Sequence, residues 1–227
     1  MTQQYTILFD LDGTLVDTAP DLMRAHNHVM QKFGYPTKST EEIRNLVGQG
    51  AGAMLGRSIW GQAKKEFGKV QDENIKKEMV KDFVDFYGKN IVNESTLVRG
   101  VKDFLIWCKD KNISMAVCTN KQEHLAVDLL KKIGIYDFFE YIAGHNTFEY
   151  CKPDPRHLTS VIEILGGDIK KTLMIGDSET DANAAKNAGI PVILLEDGYT
   201  EKNTTEIYHN HLIKDFVGIE NIVLKYL

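Results

Sequence analysis

Asp10 and Asp12 stand two residues apart in Phe9-Asp10-Leu11-Asp12-Gly13-Thr14-Leu15. Two carboxylates so close repel unless a cation or a shared proton relieves them, so the pair points to a hard metal such as Mg2+ and leaves one acid for proton transfer. The same spacing also fits an Asx-rich turn closing an ordinary strand. A second pair, Asp177 and Asp181, lies four residues apart in Gly176-Asp177-Ser178-Glu179-Thr180-Asp181. With the first at a strand's end and the second on the first turn of a helix, both would face one loop cluster. Thr119 and Asn120 close another apolar run and precede a helical pattern, so a hydroxyl and backbone N–H groups at a helix N-terminus could hold a phosphate, or simply cap the helix. Lys152, in Cys151-Lys152-Pro153-Asp154-Pro155, reads either as an ordinary solvated loop lysine or, because prolines on its flank fix its direction, as one aimed at a site.

The elements that must position these groups are legible as hydrophobic periodicity. Tyr5 to Leu8 reads as a buried strand that breaks at Gly13, placing Asp10 and Asp12 at its carboxyl end, the edge where open α/β sheets bind ligands. From about Asp17 to Asn93 the pattern is helical. Thr18 can cap a helix carrying Leu22, Ala25, Val29 and Phe33; Ser39 and Glu42 have capping-box spacing; further helices fall around Leu55 to Phe67 and Glu73 to Tyr87. No strand is evident there, and some 75 residues far exceed what a crossover needs, so 17–92 is expected to be a separate helical domain inserted into a core of 1–16 and 93–227. After Val98, helices and strands alternate: strands at 114–119, 141–143, 172–176 and 192–195, helices at 100–111, 122–133, 155–165 and 181–188, and a possible short strand at Leu212-Ile213. That alternation predicts an α/β, Rossmann-like parallel sheet with helices on both faces.

Composition narrows the function classes. The 227 residues, 43% hydrophobic and 26% charged, describe an ordinary globular chain able to bury a core. A net charge of −5 lacks the basic excess that a nucleic-acid or anionic membrane partner requires. The N-terminus shows neither a charged start nor a long apolar run, so a cytoplasmic protein without a membrane span is expected. Cys108, Cys118 and Cys151 are odd in number, have no metal-ligand spacing and read as reduced thiols.

Taken in order, the Asp10/Asp12, Thr119, Lys152 and Asp177/Asp181 motifs, with a helical cap after the first, resemble those of haloacid dehalogenase superfamily phosphatases over nearly the whole chain. The resemblance implies a small-molecule phosphate ester as substrate, Mg2+ as cofactor and an aspartyl-phosphate intermediate. It makes Asp10 the nucleophile and a metal ligand, and Asp12 the general acid and base whose backbone carbonyl also binds the metal. Thr119 and Lys152 would bind the phosphoryl group, Lys152 also neutralising Asp10. Asp177 would ligate Mg2+, and Asp181 would ligate it or orient its waters. The dehalogenase branch typically lacks the second aspartate, so Asp12 points to phosphoryl transfer.

Among such phosphatases the likeness is nearest to those acting on phosphoglycolate, through Leu15 to Leu22, Arg44 to Gly50 and Asp181 to Gly189. Arg44, Gly48 and Gln49 are therefore expected to join Thr119, Asn120 and Lys152 at the substrate, Arg44 reading a second anionic group. The alternatives are a pyrophosphatase of the same family and a β-phosphoglucomutase-type mutase, although such mutases carry Glu-Asp where this chain has Gly176-Asp177. A phospho-accepting receiver module would place its lysine after all the aspartates, whereas Asp177 here follows Lys152. A monomer and a homodimer fit equally.

Overall fold

The computed structural model describes residues 5–48, 50–60 and 73–226. Strand β1 (Thr6–Phe9) is buried throughout, with Ile7 and Phe9 facing one apolar layer and Leu8 the other. A strand covered on both faces has no reason to alternate, which explains its continuous apolar run. A two-residue strand β2 (Val16–Asp17) follows, then α1 (Ala19–Phe33), α2 (Thr40–Arg44), α3 (Ala51–Trp60) and α4 (Glu73–Lys89), before β3 (Thr96–Leu97) pairs antiparallel with β2. The chain then alternates through α5 (Val101–Asp110), β4 (Ser114–Cys118), α6 (Glu123–Ile133), β5 (Tyr141–Ala143), α7 (Arg156–Ile164), β6 (Thr172–Gly176), α8 (Glu179–Ala188), β7 (Val192–Leu195), β8 (His211–Ile213) and α9 (Glu220–Val223).

The large sheet has the order β5-β4-β1-β6-β7-β8, with every pairing parallel. Counting only its own strands, that is third, second, first, fourth, fifth, sixth, the Rossmann arrangement expected from the alternation. The order reverses between β1 and β6. Asp10 and Asp177 follow these two strands, so the first acid of each pair flanks the crevice that this reversal opens.

The helical insertion packs α1 against α2 and α4, and α3 against α4. Its apolar side chains, among them Met54, Met79, Phe83 and Tyr87, run on into the apolar layer beneath β1. Three details differ from the pattern in the sequence. The β2–β3 ribbon at the root of the insertion is too short to leave a periodic signal. Helix α3 starts at Ala51 rather than Leu55, and the expected continuation to Phe67 falls outside the described residues. Thr18 occupies the N-cap of α1 but makes no capping bond; its hydroxyl goes elsewhere. The capping box of Ser39 with Glu42 is formed as expected. Asp21, buried in the first turn of α1, accepts hydrogen bonds from the Asn93, Glu94 and Ser95 N–H groups and from the Ser95 hydroxyl, at 2.7–3.0 Å. One carboxylate oxygen thus fastens the chain where it returns from the insertion, a long-range clasp with no local signature.

Candidate active site

At the carboxyl end of β1, the Asp10 N–H continues the ladder onto Ile175 at 2.9 Å, and the chain then turns tightly at Gly13. Gly13 has φ of +81°, and a Cβ there would lie 2.1 Å from the Asp177 carboxylate, so the close approach of this turn to β6 requires glycine. The turn brings Asp10, Asp177 and Asp181 together, buried, with one carboxylate oxygen of each within 4.8 Å of the others. Asp12 points away from this trio. Its Oδ1 accepts from the Thr18 hydroxyl at 2.6 Å, and the Lys121 ammonium contacts Oδ1 at 2.7 Å and Oδ2 at 2.8 Å.

Lys152 is the cation of the trio. Its ammonium donates to Asp10 Oδ1 at 2.7 Å and Asp181 Oδ1 at 2.5 Å, and its side chain is 2% exposed. Burial alone would discharge it, but Asp10 and Asp181 outweigh burial and hold the ammonium above the ordinary lysine range. Asp10 is pushed up to about 7 by burial, against the pull of Lys152 and with the help of Asp181. Burial, reinforced by Asp10 and Asp181, likewise carries Asp177 well above the carboxylate range. One lysine therefore does not balance three buried carboxylates. The remaining negative charge and the all-oxygen donor set fit a hard divalent cation such as Mg2+.

The three acids are not equivalent as ligands. Asp181 Oδ2 accepts from the Ser178 N–H, the Ser178 hydroxyl and the Asp177 N–H, while its Oδ1 takes Lys152. These bonds fix the Asp181 carboxylate against Lys152 and the loop after β6, while it stays within the acidic trio. Asp177 Oδ2 accepts from the Tyr199 N–H at 2.7 Å, and Oδ1 makes a longer contact with the Thr14 hydroxyl at 3.3 Å. Asp10 has no hydrogen-bond donor among the described residues beyond Lys152, which leaves an oxygen for attack or for a metal.

Thr119, at the end of β4, accepts from the Lys121 N–H at 3.1 Å, so its own hydroxyl hydrogen remains for a ligand. Asn120 is in the site, but its side-chain amide is not available to a phosphate: Nδ2 donates to the Gly48 carbonyl at 3.0 Å and to the Lys152 carbonyl at 2.9 Å. Those two acceptors fix the amide's orientation and leave buried Oδ1 without a donor among the described residues. The anticipated helix N-terminus also differs, because α6 begins at Glu123 and its first N–H is taken by Asn146.

Gly48 reaches the cleft, whereas Gln49 lies outside the described residues. Arg44 does not line the cleft. Its guanidinium pairs with Asp17 at 2.7 Å and lies over the Tyr199 ring, 5.2 Å from the centroid. The Tyr199 hydroxyl accepts from the Ala19 N–H and donates to Asp17. Although burial raises it, Asp17 is held below its usual range by its hydrogen bonds from Arg44 and Tyr199. Helix α2 therefore presents Arg44 to the root of the insertion and not to Asp10. Lys121 is the residue that sequence reasoning passed over. It adjoins Thr119 and Asn120 but shows no spacing that separates it from a solvated lysine.

A cleft of about 280 Å³ is lined by Asp10, Asp12, Thr119 and Lys121 together with apolar Leu22, Val47, Met54, Phe83 and Tyr87. The Lys121 ammonium lies 4.6 Å from the centroid of the Tyr87 ring.

Residues 7–195 match the family model of haloacid dehalogenase-like hydrolases. The chain belongs to that family. It is 38% identical over 210 residues to a phosphoglycolate phosphatase of Mesorhizobium japonicum, covering 92% of this chain and 90% of the relative. A phosphoglycolate phosphatase of Caulobacter vibrioides is 37% identical over 214 residues, with coverage of 94% and 88%. Among solved structures, a "predicted phosphoglycolate phosphatase" from Haemophilus somnus superposes with a TM-score of 0.89 at 31% identity, over 98% of this chain and 99% of the other. A β-phosphoglucomutase from Clostridium difficile shares the fold, with a TM-score of 0.80 at 23% identity over 98% and 97% of the two chains.

Proposed function

We propose that this protein is a Mg2+-dependent phosphomonoester hydrolase that works through an aspartyl-phosphate on Asp10, with 2-phosphoglycolate or a similar small organic phosphate as substrate. The observation that carries the reading is the buried Lys152 ammonium held between Asp10 and Asp181, in the cluster that Asp177 completes, with the Thr119 hydroxyl lining the same cleft as Asp10. A dianionic phosphate repels a carboxylate nucleophile, and this arrangement supplies fixed cationic and hydrogen-bonding groups where charge develops. Lys152 and Thr119 hold the phosphoryl oxygens while Asp10 attacks phosphorus and the ester P–O bond breaks. Asp12, aimed by Thr18 and Lys121, donates its proton to the departing oxygen. It then takes a proton from the water that attacks phosphorus, releasing Asp10 and inorganic phosphate. Mg2+ held by Asp10, Asp177 and the Asp12 carbonyl would neutralise phosphoryl charge, with Asp181 as orienting residue. The insertion, 17–92, would act as a cap that excludes water from the cleft and selects the leaving group.

The relatives' names support the substrate class, and one packing detail weighs against the mutase alternative. Mutases of that type carry a glutamate before the last-motif aspartate, whereas a Cβ at Gly176 would lie 2.5 Å from the Asp181 Cβ. The loop as built has no room for that side chain. A panel of phosphate esters assayed with Mg2+, with acid-quench trapping of the phosphoenzyme, tests the proposal. Asp10→Asn should abolish turnover at nearly constant volume, and Asp12→Asn should slow both half-reactions by about 10²–10⁴. Near-normal activity in folded Asp10→Asn would sink the covalent mechanism.

A further inference from the structure

We infer that Lys121 receives the second anionic group of the substrate, a carboxylate set one carbon from the ester oxygen. The inference rests on the phosphomonoester hydrolase reading and names the group that reads the leaving portion. Among the described residues lining the cleft, Lys121 is the single lysine or arginine. Its side chain is 6% exposed, so the charge is buried in the cleft lining and is not a solvated surface group. Arg44, the other candidate for this role, is consumed by Asp17 and lies outside the cleft.

Connectivity places Lys121 at the right distance. Asp12 can protonate the ester oxygen only from hydrogen-bond contact, and Lys121 touches both oxygens of Asp12. A cation in contact with Asp12 is therefore a near neighbour of the departing oxygen, within reach of the carboxylate that a 2-phospho-carboxylic acid carries one carbon away. The Lys121 N–H also bonds the Thr119 hydroxyl oxygen, so one turn sets both the phosphoryl-binding group and the anion-binding group, and with them the separation they recognise. An ammonium has three hydrogens and Asp12 takes at most two, which leaves one for a ligand. The Tyr87 ring supports the cation from one side, and Leu22, Val47, Met54 and Phe83 line the same cleft with apolar surface, which strengthens the pull of a fixed charge on an anion.

The test compares 2-phosphoglycolate with ethyl phosphate, which keeps the ester and lacks the carboxylate, in the full-length enzyme with Mg2+. Wild type should prefer the carboxylated ester. Lys121→Met should lower the ratio of the two kcat/KM values by about 10–150-fold, the worth of a charge-assisted contact, mainly through KM for phosphoglycolate. Lys121→Arg should restore part of the preference, and Lys121→Gln serves if the methionine variant does not fold. Any effect of Lys121 on Asp12 alone strikes both esters equally and cancels in the ratio. An unchanged ratio with both activities lowered overturns the inference while the hydrolase reading stands. A wild-type enzyme that hydrolyses both esters without preference removes the phosphoglycolate reading and this inference together.

Discussion

Removing the cation at the centre of the acidic trio makes the most demanding test of the electrostatic account. In Lys152→Met, Asp10 and Asp181 lose the ammonium that sits 2.7 and 2.5 Å from them in a buried position. Breaking a buried pair by deleting one partner costs about 3–5 kcal/mol, because the remaining charge has neither water nor a counter-ion. The pH dependence fixes the sign. Asp10 of the metal-free wild type stays protonated up to about 7, so between its unfolded value of 3.8 and that point the folded state binds the extra proton. Stability then falls as pH rises, by about 1.4 kcal/mol per unit. Without Lys152, Asp10 should remain protonated to still higher pH. The wild-type and mutant stability curves should therefore run parallel below pH 7 and diverge above it, by up to about 1.4 kcal/mol per unit. Urea unfolding of both proteins in chelator-treated buffer at pH 5, 7 and 8 measures this. With Mg2+ present, single-turnover rates should drop about 10²–10³-fold, the usual loss when one preorganised charge-stabilising group is removed. A mutant that turns over normally, or whose stability gap is widest at pH 5, would refute the assignment of Lys152 as the counter-charge of Asp10.

Two further outcomes follow from the same buried charges. Mg2+ should be required for turnover and should raise Tm more at pH 8 than at pH 5, because protons compete for an Asp10 that titrates near 7; a Tm shift independent of pH would separate Asp10 from the metal. His157 is fully buried, its ring nitrogens without a well-formed hydrogen bond among the described residues, and burial, aided by Lys152, pushes it down to about 4. A depressed histidine makes the unfolded state the better proton acceptor between 6.5 and 4, so stability is lost as pH falls through that window, by about 3 kcal/mol in total. His157→Leu should flatten this acid limb, and urea midpoints at pH 4.5, 5.5 and 7 that track wild type would contradict it.

The sequence by itself determined the parallel sheet and the placing of each acidic pair at a strand's end, because both rest on short-range rules. A doubly covered strand must be apolar throughout, and Gly13 marks the turn that ends it; the approach of that turn to Asp177 is a product of the packed sheet. The repeated alternation after Val98 leaves little choice but a parallel sheet, whose strand ends carry Asp10, Thr119 and Asp177. Long-range geometry decided the rest. Whether Arg44 faces Asp10 or Asp17 depends on how α2 settles against α1, and an amphipathic stripe on five residues, Thr40–Arg44, cannot specify that rotation. Lys121 looks like any loop lysine until β1 and β4 pair and bring it against Asp12, 109 residues earlier in the chain. The Asp21 clasp and the use of the Asn120 amide on Gly48 and Lys152 are likewise contacts across more than 30 residues, or more than 70. Periodicity reports which face of an element is apolar; only the packed structure reports which buried polar group meets which.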